Sequence, residues 1–174
     1  VLFEEKGIVL EKDSREGTLV LRMRKLTRFD NSDDINVIIP VTKFGSMDQT
    51  LRIYGFDYHV SEIEYDEFLE KRSNPGILFL GRDKDEKIEY RFFINGDRML
   101  VNGSYKKVKY LMNDNKCSPD EKKMIPIFIV GNRIAAIPFS IFNRGLDRIA
   151  DDRLVDSSSK KILAICYTRI ENER

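Results

Sequence analysis

Hydrophobic residues in the first half of the chain come in short runs that polar or glycine-containing stretches interrupt. Two of these runs, Gly7–Glu11 and Thr18–Met23, flank a polar stretch with one glycine and predict a β-hairpin with a longer loop. Further strand-like runs cover residues 35–41, 50–54 and 58–63, and the last of them alternates between apolar and polar residues. The first half of the sequence therefore predicts β-structure.

The middle of the chain predicts one short helix followed by a second hairpin. The helix spans residues 65–72 with Phe68 and Leu69 on its buried side, and an Asn-Pro-Gly sequence ends it. Beyond it, the apolar runs 77–80 and 88–94 flank a charged loop, which is the pattern of two antiparallel strands joined by a connection.

Two more short helices are predicted next. The apolar face of the first has residues at helical spacing: Tyr105, Val108, Leu111 and Met112. Lys106 and Lys109 would then share its solvated side. The second helix opens at Ser118-Pro119-Asp120-Glu121, where serine caps, proline suits the first helical position and glutamate completes a capping box.

The last third predicts a tight hairpin and a closing strand. Residues 127–130 and 133–137 flank the two-residue turn Gly131-Asn132, and another strand covers 161–167. The fold class predicted is α+β, mainly antiparallel sheet in a sandwich-like arrangement with a few short helices. Because acidic character gives way to basic after the second hairpin, we place a domain boundary near Pro75, between a β-rich segment 1–75 and a C-terminal domain 76–174.

Basic residues concentrate in one part of the chain. The whole chain has a formal net charge of only +1. Between Arg98 and Arg133, eight basic residues face three acidic ones, which gives this segment +5 and leaves −4 for the rest. Local charge governs attraction to a polyanion more than total charge does, so the segment is a candidate nucleic-acid site. Its candidate contacts are Arg98, Lys106, Lys107, Lys109, Lys116, Lys122, Lys123 and Arg133.

Few residues offer catalytic or metal chemistry. The chain has two cysteines, Cys117 and Cys166, and one histidine, His59, whereas a structural zinc site normally takes four such ligands. Both cysteines are expected to be reduced thiols. The acidic pairs Asp33-Asp34 and Asp151-Asp152 suit solvated turns better than a metal site. No apolar run approaches the ~20 residues that a bilayer-spanning helix needs, and no membrane contact is expected.

ATP chemistry also lacks its sequence signature. An ATP loop that supports pyrophosphate release needs Ser-Gly-Gly-x-Asp-Ser, because its backbone amides cradle phosphate. The glycine-containing loop Phe44–Gln49 matches it only at Gly45 and Asp48, and no Gly-Lys-Ser/Thr loop is present. We therefore expect no catalytic residue and no cofactor within this sequence. Since the first residue is Val1 rather than Met, we expect the sequence to be a piece of a longer chain.

The order of motifs from Arg91 to Phe139 resembles the C-terminal domain of bacterial tRNA(Ile)-lysidine synthetases. The resemblance rests on Arg91, Gly96-Asp97-Arg98, Gly103, Lys106–Leu111, Asp114, Lys116, Pro119–Lys123, Pro126–Val130 and Arg133–Ile137. Met99, Val108 and Lys123 depart from the residues usual in that family, Phe, Leu and Arg. The lysine keeps the charge of arginine but loses its planar fork.

This resemblance implies a fold and a function. The fold would be a β-sandwich of unusual connectivity, similar to a domain of the β subunit of phenylalanyl-tRNA synthetase. The family uses ATP and magnesium in an N-terminal catalytic domain to join lysine to the wobble cytidine of isoleucine tRNA. Its C-terminal region binds the acceptor stem, and the enzymes are cytoplasmic and often dimeric. By this resemblance the chain is a tRNA-binding part of an ATP-dependent ligase and performs no reaction itself.

Two other interpretations remain open on the sequence alone. The chain is alternatively a structural or subunit-contact domain of a larger enzyme, with its basic helix against an acidic protein surface and no nucleic acid. A third interpretation is a small-molecule enzyme that uses His59 with a carboxylate, which requires a cleft that holds both groups.

Overall fold

The computed structural model describes the strands at residues 3–5, 8–12 and 19–23, and the residues 36–43, 50–83 and 86–171. The chain divides into two compact units, Val1–Asp33 and Asp34–Arg174. Within the described residues no helix is both long and apolar enough to cross a membrane.

The first unit is a small antiparallel sheet. It consists of β1 (Phe3–Glu5), β2 (Ile8–Lys12) and β3 (Leu19–Met23), with β2 in the centre. Antiparallel pairing of β2 with β3 confirms the first predicted hairpin. The polar stretch between them lies outside the described residues.

The described part of the second unit contains twelve strands and three α-helices. Its strands are β4 (Val37–Ile38), β5 (Thr42–Lys43), β6 (Leu51–Ile53), β7 (Phe56–Ile63), β8 (Ile77–Arg82), β9 (Ile88–Arg91), β10 (Arg98–Val101), β11 (Ser104–Lys107), β12 (Ile127–Val130), β13 (Arg133–Ile137), β14 (Arg148–Ile149) and β15 (Lys161–Arg169). The α-helices are α1 (Tyr65–Lys71), α2 (Val108–Asp114) and α3 (Pro119–Met124), and short 3-10 helices cover Phe139–Phe142 and Asp151–Arg153.

Two five-stranded sheets organise this unit. The first has the order β14-β13-β12-β9-β4, and the second has the order β5-β7-β15-β8 with β6 also paired to β7. Among the described strand pairs only β5 with β7 is parallel. The predicted class, α+β with mainly antiparallel sheet and a few short helices, is confirmed.

The two sheets share one hydrophobic core. The ring of Tyr58 in β7 meets the ring of Phe128 in β12 edge-on, with 5.8 Å between centroids. Alternation in β8 buries Leu78 and Leu80 in this core and turns Phe79 to the opposite face. There Phe68 of α1 packs edge-on against Phe79 at 5.2 Å, so both faces of the second sheet are covered.

Three local predictions were wrong. In each case the fold depends on contacts with residues far away in the sequence, which the local pattern does not reveal. Leu69 is 41% exposed, since α1 packs Tyr65 and Phe68 rather than Leu69 against the sheet. β8 and β9 do not form a hairpin; β8 pairs with β15 in one sheet and β9 with β12 in the other. Within the described part of the predicted strand 35–41 only β4 is a strand, and it ends before Pro40, a residue without an N–H for pairing. The next strand, β5, begins beyond the predicted bounds and joins the other sheet.

Strands from both sides of Pro75 share the second sheet, since β7 and β8 both pair with β15. The division into compact units falls earlier, between Asp33 and Asp34. The domain boundary near Pro75 stays a prediction.

The loop Phe44–Gln49, compared above with an ATP loop, lies outside the described residues.

Candidate nucleic-acid interface

The β10–β11 hairpin occupies the place where the first basic helix was predicted to begin. Tyr105, Lys106 and Lys107 are therefore in a strand, and α2 begins only at Val108. The turn is Asn102-Gly103, with φ of 52° and 79°. An Asn-Gly turn of this kind favours a two-residue hairpin, and this local preference outweighs the helical spacing of Tyr105.

The two faces of this hairpin differ in chemistry. Met99 and Val101 are buried in the core. The alternate residues of β10 face the other way, where Arg98 lies opposite Lys107 and Leu100 lies opposite Tyr105. Two cations therefore stand side by side on the solvated face, an arrangement that costs stability unless an anion lies between them.

Asp97 holds this hairpin in place. Its carboxylate accepts hydrogen bonds from both terminal nitrogens of Arg91, at 2.7 and 2.8 Å, and from the Ile94 amide at 2.9 Å. Its carbonyl oxygen accepts from the Val108 amide at the start of α2, at 2.9 Å. Within the Gly-Asp-Arg sequence, Asp97 is thus structural, and it presents the neighbouring Arg98 to solvent.

The Asp151-Asp152 pair also has a structural role. The Asp151 carboxylate accepts from the Asn102 amide at 3.1 Å and the Gly103 amide at 2.6 Å, which anchors the β10–β11 turn. Asp152 lies 3.7 Å from an Arg133 guanidinium nitrogen. No group of three or more possible metal ligands occurs among the described residues.

These contacts form a groove between the β10–β11 hairpin and the β12–β13 turn. It is lined by Arg91, Gly96, Asp97, Arg98, Leu100, Tyr105, Asn132, Arg133, Ile134 and Asp152. Three arginines and two aspartates give the lining a net charge of +1, and Lys107 stands beside Arg98 on the same face. Asp97 already pairs with Arg91, so the positive charge that faces solvent comes mainly from Arg98 and Arg133.

The two helices that follow carry the remaining basic residues. Val108, Leu111 and Met112 are buried, as predicted. The predicted capping box of α3 is confirmed, since the Ser118 hydroxyl accepts from the Glu121 amide and the Glu121 carboxylate accepts from the Ser118 amide. Arg144 donates two guanidinium N–H groups to the same carboxylate, and this arginine holds the pKa of Glu121 below its usual range.

The structure brings together some of the predicted site residues and separates others. Arg98 and Arg133 line the groove and Lys107 lies opposite Arg98 on the same face of the hairpin, whereas Lys106 lies on the other face. The Lys122 ammonium donates to the Asn113 side-chain oxygen at 2.6 Å, which ties α3 to α2. The remaining candidates are exposed on or beside these helices: Lys109, Lys116 and Lys123.

Comparison with known proteins finds similarity both in sequence and in fold. Over 92 residues the chain is 32% identical to tRNA(Ile)-lysidine synthases of two strains of Clostridium perfringens, a match that covers 52% of the chain and 18% of each relative. The chain therefore spans well under two thirds of these relatives. A crystal structure of the TILS C-terminal domain matches with a TM-score of 0.59 and 17% identity, over 79% of the chain and 98% of that domain. The predicted resemblance is confirmed. No family model matches the sequence.

The likeness to the TILS C-terminal domain concerns the fold, whereas the groove is defined by this chain's own residues. Tyr105, Asn132 and Asp152 were not predicted as site residues, because they belong to three segments that meet only in the folded chain. The Asn102-Gly103 dipeptide was the one local signal that would have placed Tyr105 in a hairpin beside Arg98.

The surroundings of His59 give little support to the hypothesis of a catalytic site at this residue. Cys166 lies directly across the sheet from His59, a neighbour that the sequence does not reveal. Burial raises the pKa of the Cys166 thiol, which opposes formation of a nucleophilic thiolate. The His59 ring instead shares a hydrogen bond with the Thr50 hydroxyl at 3.1 Å.

Proposed function

We propose that this chain binds tRNA as a C-terminal part of a tRNA(Ile)-lysidine synthase. The observation that carries the proposal is that Arg98 and Arg133 line one groove, with Lys107 opposite Arg98 and further exposed lysines on α2 and α3. Proteins contact RNA helices mainly through phosphates and backbone shape, so cations on a rigid, well-anchored surface are the groups this task requires.

The proposal includes the partner and the place of action. The bound part of the RNA is the acceptor stem of isoleucine tRNA. The rest of the enzyme binds ATP and magnesium and joins lysine to the wobble cytidine in the cytoplasm, as a homodimer. The similarity in sequence to tRNA(Ile)-lysidine synthases and the fold of the TILS C-terminal domain support the link to this enzyme, and the acceptor stem, ATP, magnesium, cytoplasm and homodimer are what the resemblance to the family implies.

The hydrogen bonds that anchor the β10–β11 hairpin favour RNA binding over a role of these cations in solubility alone. Asp97 fixes the start of the hairpin and Asp151 fixes its turn, so that Arg98 and Lys107 are held close despite their repulsion. A phosphate beside Arg98 would relieve this repulsion, and Arg133 lines the same groove as Arg98.

The test measures binding of the chain to isoleucine tRNA and to an acceptor-stem minihelix over a salt series. The affinity should fall linearly with salt on a log–log plot, with a slope that reports the number of phosphates neutralised. Lys109→Glu/Lys123→Glu changes two exposed lysines on α2 and α3 and should weaken binding about tenfold or more.

The control is Arg72→Glu/Arg169→Glu, which makes the same change in charge at two exposed positions, one at the end of α1 and one on β15. It should weaken binding far less, because these residues lie on other elements than the groove and α2–α3. If a well-folded chain fails to bind either RNA at low salt, the RNA-binding proposal is wrong. The subunit-contact interpretation would then be preferred.

A further inference from the structure

We propose that the groove between the β10–β11 hairpin and the β12–β13 turn takes one unpaired nucleotide beyond the end of the bound RNA helix, with its base stacked on Tyr105. This inference rests on the proposed function, since it names the part of the tRNA that this groove recognises. It adds a base-contacting site to a surface that otherwise contacts phosphates.

Tyr105 is the first reason for the proposal. It is 52% exposed, although it stands in a groove with apolar neighbours. Leu100 lies directly opposite it on the hairpin, and the buried Ile134 lines the same groove. An exposed ring on an apolar lining offers a platform on which a base of any sequence can stack.

The cations beside the ring are the second reason. Within the described residues Arg98 makes no ion pair. Arg133 reaches Asp152 only at 3.7 Å while 64% of its side chain is exposed, and such exposed pairs contribute little. Both guanidinium groups are therefore available to the phosphates on either side of a base stacked on Tyr105.

Asn132 gives the groove a side-chain amide that can form hydrogen bonds with the edge of the base. Its side-chain amide has both a donor and an acceptor, and it stands in the tight turn between β12 and β13 with φ of 63°. A fixed turn presents this amide from the wall opposite the hairpin. The groove thus combines a ring, two cations and one amide, which are the contacts that a single extruded nucleotide can make.

The unpaired state of the nucleotide follows from the geometry of stacking. Bases inside an RNA helix are covered on both faces by their neighbours, so a protein ring in a groove beside the helix can stack only on a base that has left it. The acceptor end of tRNA offers a suitable ligand, because its 3′ strand continues unpaired beyond the stem.

The experiment compares two RNAs that share one acceptor-stem helix. One is blunt, and the other carries a short single-stranded 3′ extension. The wild-type chain should bind the extended RNA about tenfold more tightly, the usual effect of one stacked base. Tyr105→Ala and Tyr105→Leu should both lose this preference, and the leucine variant keeps apolar packing against Leu100. Tyr105→Phe should retain the preference, since it keeps the ring.

Tyr110→Ala is the matched control. Tyr110 is equally exposed, at 56%, but lies on α2 outside the groove with the Lys107 ammonium 5.6 Å from its ring centre. This variant should keep the preference for the extended RNA. Equal binding of the two RNAs by the wild type, with both bound, overturns the nucleotide site and leaves tRNA binding intact. Retention of the preference by Tyr105→Leu overturns the role of the ring. Failure to bind either RNA refutes both the site and the proposed function.

Discussion

Arg91 and Asp97 form a bidentate ion pair that is almost closed to water, with 15% and 10% of the two side chains exposed. Asp97→Asn should destabilise the second unit by about 3 kcal/mol, because the guanidinium would stay buried without its counter-charge. Urea unfolding followed by circular dichroism measures the change.

The pair of Arg52 with Asp57 provides a control of the same chemistry. It too is bidentate, at 2.8 and 3.1 Å, but 66% of the Arg52 side chain is exposed. Asp57→Asn should therefore change the free energy of unfolding much less than Asp97→Asn does. Equal effects of the two substitutions would contradict the structural role given to Asp97.

Acid should destabilise the domain through three glutamates. The guanidinium groups of Arg82, Arg153 and Arg144 hold the pKa values of Glu62, Glu86 and Glu121 below the usual range. Each glutamate therefore stabilises the fold above its unfolded pKa of about 4.3, and this contribution is lost as the pH falls through the lower folded value.

We expect the urea midpoint to decrease as the pH is lowered from about 5 to about 3. Glu86→Gln should reduce this decrease, because its partner Arg153 is buried and the neutral side chain no longer takes up a proton. An unchanged pH profile in Glu86→Gln would show that this pair does not contribute to acid sensitivity.

Two glycines in left-handed turns should differ in their tolerance of alanine. Gly131 (φ 58°) and Gly103 (φ 79°) both require a conformation that costs alanine about 1 kcal/mol. A Cβ at Gly103 meets open space, whereas one at Gly131 would collide with the Glu86 carboxylate and reach 3.0 Å from Arg153. Gly131→Ala should therefore lower the melting temperature clearly more than Gly103→Ala, as differential scanning calorimetry can measure.

Asp151 should control the stability of the β10–β11 turn. Asp151→Ala removes the acceptor of the Asn102 and Gly103 amides, so these two amides should exchange with solvent faster. Asp152→Ala is the control, since Asp152 contacts Arg133 and not the turn. Hydrogen exchange measured by NMR distinguishes the two variants, and unchanged exchange in Asp151→Ala would contradict the anchoring role.

Elements with strong local chemistry were predictable from the sequence. Ser118 and Glu121 mark the start of α3, and the Gly131-Asn132 turn fixes the β12–β13 hairpin. Prediction failed where pairing is non-local: nothing near Ile77 indicates that β8 pairs with β15. The basic residues of the groove were found through their charge, but their grouping around Tyr105 depends on contacts between segments far apart in the chain.

The position of β15 has a consequence for how the domain assembles. β7 and β8 are neighbours in sequence, yet β15, which is made later, lies between them in the sheet. During synthesis each of the two strands would therefore keep an unpaired edge until Lys161–Arg169 leaves the ribosome. Unpaired strand edges are sites of aggregation. Folding of this domain should be slow, late and chaperone-sensitive, since it depends on contacts of high sequence separation.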